Sequence, residues 1–193
     1  MSIEYYDKNA RDYYEATVNA DMSDACDRFL SYVKQGGRIL DAGCGSGRDS
    51  LYFIQRGFDL VSIDGSQEMV EFSSRLTGQK TLQMKFEEID FRNEFDGVWA
   101  CASLLHVPKS EIQNVLRKLV ISLKTDGILY LSFKYGNHEI LRDQRLFNSY
   151  DKDGLLELLQ SAPELELISI WETKDVRPGR GDESWINCVS RKG

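Results

Sequence analysis

The chain has 193 residues, 41% of them hydrophobic and 28% charged, and its 31 acidic residues against 24 lysine and arginine residues give a net charge of −7. This composition is typical of one soluble globular domain. No apolar run approaches the roughly 18 residues of a membrane-spanning helix, and the polar N-terminus has no signal or transit pattern, so we expect a cytoplasmic protein without a membrane partner.

The charge and the cysteines also limit the partners. A net negative charge argues against nucleic acid, whose backbone is bound by clustered lysine and arginine. The cysteines, Cys26, Cys44, Cys101 and Cys188, show no C-x-x-C pair and no histidine at ligand spacing. We therefore expect a small-molecule partner and no metal site, whereas nothing indicates the oligomeric state.

Residues 1–35 precede the first predicted strand and contain a run of tyrosines from Tyr5 to Tyr14. Two interpretations stay open for this run: an amphipathic helix packed on the domain, or a lid over a ligand site. Apolar residues at helical spacing from Cys26 to Val33 predict a further helix over Ser23 to Lys34.

The stretch from Arg38 to Asp49 organises the chain. It predicts a short apolar strand, a turn with three alternating glycines, and a helix. Glycines let the backbone turn tightly and approach a ligand with no Cβ in the way, and the free N–H groups of the next helix point to the same place. This pattern predicts a cofactor-binding loop.

Two aspartates indicate which cofactor the loop binds. The glycine spacing departs from the dinucleotide fingerprint, since Arg48 follows Gly47. Asp41, at the end of the strand, would repel a pyrophosphate and attract an ammonium or sulfonium group. Asp64 ends the second predicted strand 23 residues later, where a carboxylate can accept from ribose hydroxyls. The expected ligand is a nucleoside with a cationic tail.

Four blocks carry a resemblance to the class I S-adenosylmethionine-dependent methyltransferases. They are Asp41–Gly47, Ile63–Ser66, Phe95–Trp99 and Lys124–Gly127. The resemblance runs from about Val33 to the C-terminus. In size and motif style the chain is similar to the small-molecule members of the tellurite or thiol methyltransferase type.

The resemblance implies an α/β, Rossmann-like fold with a seven-stranded, mostly parallel sheet, helices on both faces and an antiparallel C-terminal edge hairpin. It implies a single methyltransferase domain over residues 1–193, in which residues 1–35 form a helical lid and residues 36–193 the core. The cofactor would be S-adenosylmethionine, with S-adenosylhomocysteine as product and no metal. The reaction would be in-line methyl transfer to a small molecule.

The resemblance also assigns a cofactor site. Tyr13 would contact the amino-acid part of the cofactor from the lid, and Phe86 or Glu87 would meet the adenine at the end of the third predicted strand, Thr81 to Phe86. The full set of expected cofactor residues is Tyr13, Asp41, Gly43, Gly45, Gly47, Asp64, Gly65, Phe86, Glu87 and Cys101.

His106 is the candidate catalytic base, because it follows the fourth predicted strand, whose end should face the methyl group. A base helps only when the acceptor must lose a proton. The alternative is that His106 packs or caps a loop before Pro108, and the sequence leaves both open.

Lys134, Tyr135, Arg177 and Arg180 form a candidate pocket for an anionic acceptor. Arg177 and Arg180 flank Pro178 in a loop between the last two strands that should face the site. Arg142 and Arg145 could join this pocket, but the interpretation as solvated surface charges is favoured for both. Two other functions stay open: methylation of RNA or protein, and a catalytically silent cofactor-binding scaffold.

Overall fold

The computed structural model describes residues 2–193, and Met1, the first residue of the predicted lid segment, lies outside them. The helices, in chain order, are α1 (Ser2–Lys8), α2 (Ala10–Thr17), α3 (Ser23–Leu30), α4 (Arg48–Gln55), α5 (Gln67–Thr77), α6 (Ile112–Ser122) and α7 (Lys152–Gln160). The strands are β1 (Arg38–Ala42), β2 (Asp59–Asp64), β3 (Leu82–Gln83), β4 (Phe95–Ala100), β5 (Leu123–Tyr135), β6 (Glu139–Arg142), β7 (Arg145–Tyr150), β8 (Leu165–Lys174) and β9 (Ser184–Lys192).

The strands form a sheet whose central order is β3-β2-β1-β4-β5, all parallel. Strand β9 pairs antiparallel with β5 along Ile128 to Lys134, and β8 pairs antiparallel with β9. The predicted α/β class, with its C-terminal antiparallel hairpin, is confirmed. This order brings the carboxyl ends of β1, β2 and β4 to one edge, where open α/β sheets bind ligands.

The sheet is buried on both faces, which explains the nearly continuous apolar strands. Neighbouring residues of one strand contribute to opposite sides: Leu40 packs with α6 and α7, whereas Ile39 packs with the aromatic residues of α3 and α4. On that second side the rings of Trp99 and Tyr130 stack with centroids 3.8 Å apart. The core therefore fixes the strands whose ends carry the site.

A hairpin that the sequence analysis did not predict raises the strand number from seven to nine. Strands β6 and β7 pair antiparallel, and the last two residues of β5 pair with the end of β7. The turn residues Asp143 and Gln144 both have positive φ, 50° and 62°. Such turns usually contain glycine, and β6 is exposed throughout, so neither turn chemistry nor alternation indicated this hairpin.

Two predicted element bounds were wrong. The third strand covers only Leu82–Gln83, because Phe86–Glu88 forms a 3-10 helix closed by the Glu88 side chain, which accepts from the N–H of Lys85 at 2.8 Å. The predicted helix from Ser23 to Lys34 ends at Leu30. None of the helices formed by residues 2–193 combines the length and apolar character needed to cross a membrane.

Candidate active site

The glycine loop leaves β1 and enters α4. Gly43, Gly45 and Gly47 have φ values of 83°, 53° and 80°, a left-handed conformation that favours glycine. The N–H groups of Gly43 and Cys44 both donate to Ile63 O, at 2.9 and 3.0 Å. The loop is therefore tied to the end of the neighbouring strand β2.

Asp64, the last residue of β2, is half-buried beside the loop. Its Oδ2 accepts from the N–H of Gly45 and its Oδ1 from the N–H of Ser66, both at 2.9 Å. Burial raises the pKa of Asp64, and these backbone donors oppose the shift. A carboxylate offers about four acceptor positions, so the two oxygens retain capacity for the hydroxyls of a ligand.

Asp41 is buried at the end of β1. Its Oδ2 accepts from Ser50 Oγ at 2.7 Å, and Ser50 Oγ also lies 2.9 Å from Ser62 Oγ. Burial, followed by the negative charge of Asp49, raises the pKa of Asp41 to about 8. A cation beside Asp41 would reverse part of this shift, because it favours the ionised form.

Two cavities meet at the glycine loop. The large cavity, about 680 Å³, contains Asp41 and Arg48 on one side of the loop and reaches the β8–β9 connection. The small cavity, about 480 Å³, contains Asp64, Met84 and Phe86 on the other side. Gly43 and Gly45 line both cavities, so a ligand lying across the loop would occupy parts of each.

Helices α1 and α2 cover this junction. Tyr13 Cε1 lies 3.4 Å from the position that a Cβ on Gly45 would take, and Tyr6 and Tyr13 line both cavities. Asp7 accepts from Ser66 Oγ at 2.6 Å, which joins α1 to the start of α5. The tyrosine-rich segment therefore lies over the loop, a placement that both interpretations of this segment allow.

His106 uses both ring nitrogens inside the protein. Its Nδ1 lies 2.7 Å from Leu146 O and its Nε2 lies 2.7 Å from Tyr6 Oη. Because a carbonyl only accepts, Nδ1 carries the proton and Nε2 accepts from Tyr6. Burial lowers the pKa of His106 to about 4, and the nearby Arg145 and Lys134 add to that effect. His106 is thus a neutral acceptor that holds the lid.

The cations predicted for an anion pocket are paired with carboxylates. Arg177 donates to Asp175 through Nε at 2.9 Å and Nη2 at 2.5 Å. Burial would raise the pKa of Asp175, yet its hydrogen bonds with Arg177 and Trp185 lower it to about 2. Lys134 forms a short ion pair with Glu183, and Arg180 lies 3.5 Å from the same carboxylate.

Most predicted site residues lie at the two cavities. The large cavity is lined by Tyr13, Asp41, Gly43, Gly45, Cys101, His106, Lys134, Arg177 and Arg180, and the small one by Tyr13, Gly43, Gly45, Asp64, Gly65, Phe86, Glu87 and His106. Two of the predicted site residues, Gly47 and Tyr135, line neither cavity. A Cβ on Gly47 would lie 2.8 Å from Ser73, so this glycine permits close packing of α4 on α5. Tyr135 is 42% exposed on the surface.

Sequence reasoning missed Tyr6 and favoured a surface position for Arg145. Both line the large cavity, and Tyr6 lies at the junction. The run of tyrosines indicated that one ring would contact the site. That Tyr6 does so follows from the packing of α1 against His106. Arg145 was interpreted as a surface charge, because the hairpin that positions it was not predicted.

A family model described as a methyltransferase domain matches residues 39–127, which include the glycine loop, Asp64 and β4. The chain is similar to this family over these residues. The resemblance to class I S-adenosylmethionine-dependent methyltransferases, predicted from four motif blocks, is thereby confirmed.

Two curated relatives show how far the similarity extends. YqeM of Bacillus subtilis, a protein named as a candidate methyltransferase, is 32% identical over 132 residues, 63% of this chain and 52% of its own length. A glycine/sarcosine N-methyltransferase of Aphanothece halophytica is 30% identical over 127 residues, 60% of this chain and 47% of its own. This methyltransferase domain thus spans about half the length of these relatives.

A solved structure shares the fold over nearly the whole chain. It is 1,6-didemethyltoxoflavin-N1-methyltransferase of Burkholderia thailandensis, with bound 1,6-didemethyltoxoflavin and S-adenosylhomocysteine. The TM-score is 0.77 at 22% identity, with 98% of this chain and 84% of that chain covered. At this identity the likeness supports the fold alone.

Within residues 2–193, no group of three or more His, Cys, Asp or Glu residues is arranged to hold a metal ion.

Proposed function

We propose that this protein transfers the methyl group of S-adenosylmethionine to a small-molecule acceptor, with residues 1–35 as a lid over a core of residues 36–193. When bound, S-adenosylmethionine supplies a methyl group already activated by its sulfonium charge. The protein then has to bind, orient and exclude water, which can supply on the order of 7 to 11 kcal/mol.

The observation that carries this proposal is the pair of cavities joined at the glycine loop, each lined by an aspartate at a strand end. Asp64 and Phe86 on one side suit a nucleoside: the carboxylate accepts from ribose hydroxyls, and the ring offers a stacking face. Asp41 on the other side suits a cationic tail. Between them, the absent Cβ of Gly43 makes room for Ser103, and Gly45 keeps its backbone clear up to Tyr13 Cε1, 3.4 Å from the position of a Cβ.

The acceptor belongs in the outer part of the large cavity. This region lies beyond the loop, beside His106 and the β8–β9 connection, and the lid closes it from above. Its size fits a small molecule and its walls are built by the lid, the β6–β7 hairpin and that connection. Relatives of this chain include enzymes named for small acceptors, which supports the same class here. The tellurite or thiol type stays a prediction.

His106 would not act as a free base in this arrangement. Its Nε2 lone pair already accepts from Tyr6, and the low pKa makes the imidazole a weak proton acceptor. We propose that His106 and Tyr6 position the acceptor and close the site. An acceptor that arrives deprotonated, or that needs no base, fits this role best.

Titration calorimetry with S-adenosylhomocysteine tests the proposal. We expect binding to the wild-type chain and a loss of about tenfold or more for Asp64→Asn, which removes the charged acceptor beside Gly45. Asp59→Asn is the matched control, because Asp59 lies at the opposite end of β2 in an exposed ion pair with Arg38. A folded wild-type chain that binds neither S-adenosylmethionine nor its product would refute the function.

A further inference from the structure

Arg145, the first residue of β7, differs from the other cations of the large cavity. Its side chain is only 18% exposed, and its ion pair with Asp143 is long, 3.9 Å from Nη2 to an exposed carboxylate. Its Nε is buried and has no hydrogen-bond partner among residues 2–193. An unmet donor on a buried charged group carries a free-energy penalty that a ligand can remove.

Two aromatic rings hold the guanidinium group in place. Arg145 Cζ lies 3.9 Å from the ring centroid of Tyr5 in α1 and 5.0 Å from that of Phe147 in β7. Rings that contact the faces of a guanidinium leave its edges, which carry the N–H groups, for hydrogen bonds. The orientation of Arg145 is thus set before any ligand binds.

Arg145 also lies beside the lid contact at the junction of the cavities. Arg145 forms a hydrogen bond with Tyr6, and its charge acts on His106; the next residue, Leu146, accepts from His106 Nδ1. The glycine loop and Tyr13 line the same large cavity. A ligand group held by Arg145 therefore places the rest of a small molecule between the lid and the cofactor loop.

We propose that Arg145 is the anchor for the methyl acceptor, and that the acceptor carries a single carboxylate group. This inference rests on the proposed function, since it names the acceptor class of that site. The sequence pointed to Arg177 and Arg180, but these two and Lys134 are already paired with Asp175 and Glu183.

The geometry of a single guanidinium favours a carboxylate. In this part of the cavity Arg177 is held by Asp175, and Lys134 and Arg180 are both held by Glu183, at 3.5 Å or less. The carboxylate paired with Arg145 lies farther away, at 3.9 Å, so this guanidinium is the one left to meet a ligand. A carboxylate matches the planar edge of one guanidinium with two parallel N–H···O bonds.

Binding of benzoate to the chain saturated with S-adenosylhomocysteine tests the anchor without requiring the acceptor to be known. We expect benzoate to bind the wild-type chain and the neutral isostere benzamide to bind far more weakly, both measured by calorimetry. Arg145→Gln should lower benzoate affinity about tenfold or more. Arg145→Lys should recover only part of it, because an ammonium group lacks the planar fork.

Arg117→Gln is the control, since it removes the same charge from an exposed position on α6 outside both cavities. All variants should bind S-adenosylhomocysteine like the wild type, which shows that they are folded. The inference is overturned if benzoate does not bind, if benzamide binds equally, if Arg145→Gln leaves the affinity unchanged, or if only Arg180→Gln lowers it. Those results leave the proposed function standing, whereas failure of the wild type to bind S-adenosylhomocysteine removes both.

Discussion

At the scale of single residues, burial of ionisable groups at the loop makes stability depend on pH. The pKa of Asp41 is about 8 in the folded chain against an ordinary value of 3.8. Between these values the folded chain binds more protons than the unfolded chain, so the free energy of unfolding falls as pH rises toward 8. The contribution of His106 to the free energy of unfolding rises with pH instead, because folding lowers its pKa from 6.5 to about 4. Its contribution is present above pH 6.5 and is lost as pH falls through 4.

We predict that Asp41→Asn flattens the fall in stability between pH 6.5 and 8. His106 is present in both proteins, so its contribution cancels in the difference between their curves. Asparagine has the shape of the protonated aspartate, can still accept from Ser50 and cannot ionise. Urea unfolding at three pH values across this window measures the effect. Asp59→Asn, at an exposed position, should keep the wild-type slope. Parallel curves for wild type and Asp41→Asn would show that Asp41 does not titrate there.

The sequence located residues well where a local pattern marks them. Asp64, Gly43 and Gly45 lie at the cavities, because strand ends and glycine turns leave a clear pattern. It left two roles open for His106, because the partners Tyr6 and Leu146 lie 100 and 40 residues away. The ion pair of Lys134 was missed for a similar reason, since Glu183 lies 49 residues away. The partner of Arg177 is only two residues away, at Asp175, and was a local signal that the sequence reasoning overlooked.

At the scale of elements, the close packing of α4 on α5 depends on Gly47. This residue precedes α4 with φ 80°, and a Cβ there would lie 2.8 Å from both Cα and Oγ of Ser73. Gly57, after the same helix, has φ 82°, and a Cβ there would have no heavy atom of the described residues within 4 Å. A side chain would strain the left-handed backbone at both glycines, but only at Gly47 would it also collide with a neighbouring helix.

We predict that Gly57→Ala lowers the free energy of unfolding by about 1 to 2 kcal/mol, the usual penalty for a side chain in the left-handed region. Gly47→Ala should lower it by roughly 1 to 3 kcal/mol more, since the α5 backbone must also move. Urea unfolding of both variants measures the difference. Equal losses would mean that the contact with Ser73 is not tight.

Helix starts are readable from the sequence where a side chain caps them. Ser66 precedes α5, and its Oγ accepts from Met69 N at 3.2 Å. Ser110 and Gln113 form the S-x-x-Q pattern of a capping box, but α6 begins at Ile112, and Pro108 O accepts from both Glu111 N and Ile112 N. A backbone turn therefore starts α6 where the sequence indicated a side-chain cap.

At the scale of the whole molecule, the net charge of −7 opposes long-range attraction of nucleic acid. The cations near the large cavity do not form an open basic patch, because Lys134, Arg177 and Arg180 face Asp175 and Glu183. RNA methylation, left open by the sequence, would need contacts to several phosphates.

We predict that the chain does not bind a short single-stranded RNA, even at about 50 mM salt, where electrostatic attraction is strong. Fluorescence anisotropy of labelled RNA measures this, with a basic RNA-binding protein as positive control. Binding that weakens steeply as salt rises would instead favour the RNA-methylating alternative.

The sequence by itself determined the α/β fold, the parallel core, the glycine loop and its two aspartates, and from these the resemblance to the methyltransferase family. These features follow from local rules: apolar strands buried on both faces, glycines in left-handed turns, and acidic residues at strand ends. Only the tertiary structure decided that α1 closes on His106 through Tyr6, that Lys134 pairs with Glu183, and that a β6–β7 hairpin presents Arg145. Those features depend on contacts between distant segments, because burial and pairing of such a side chain are set by the neighbours that folding brings to it.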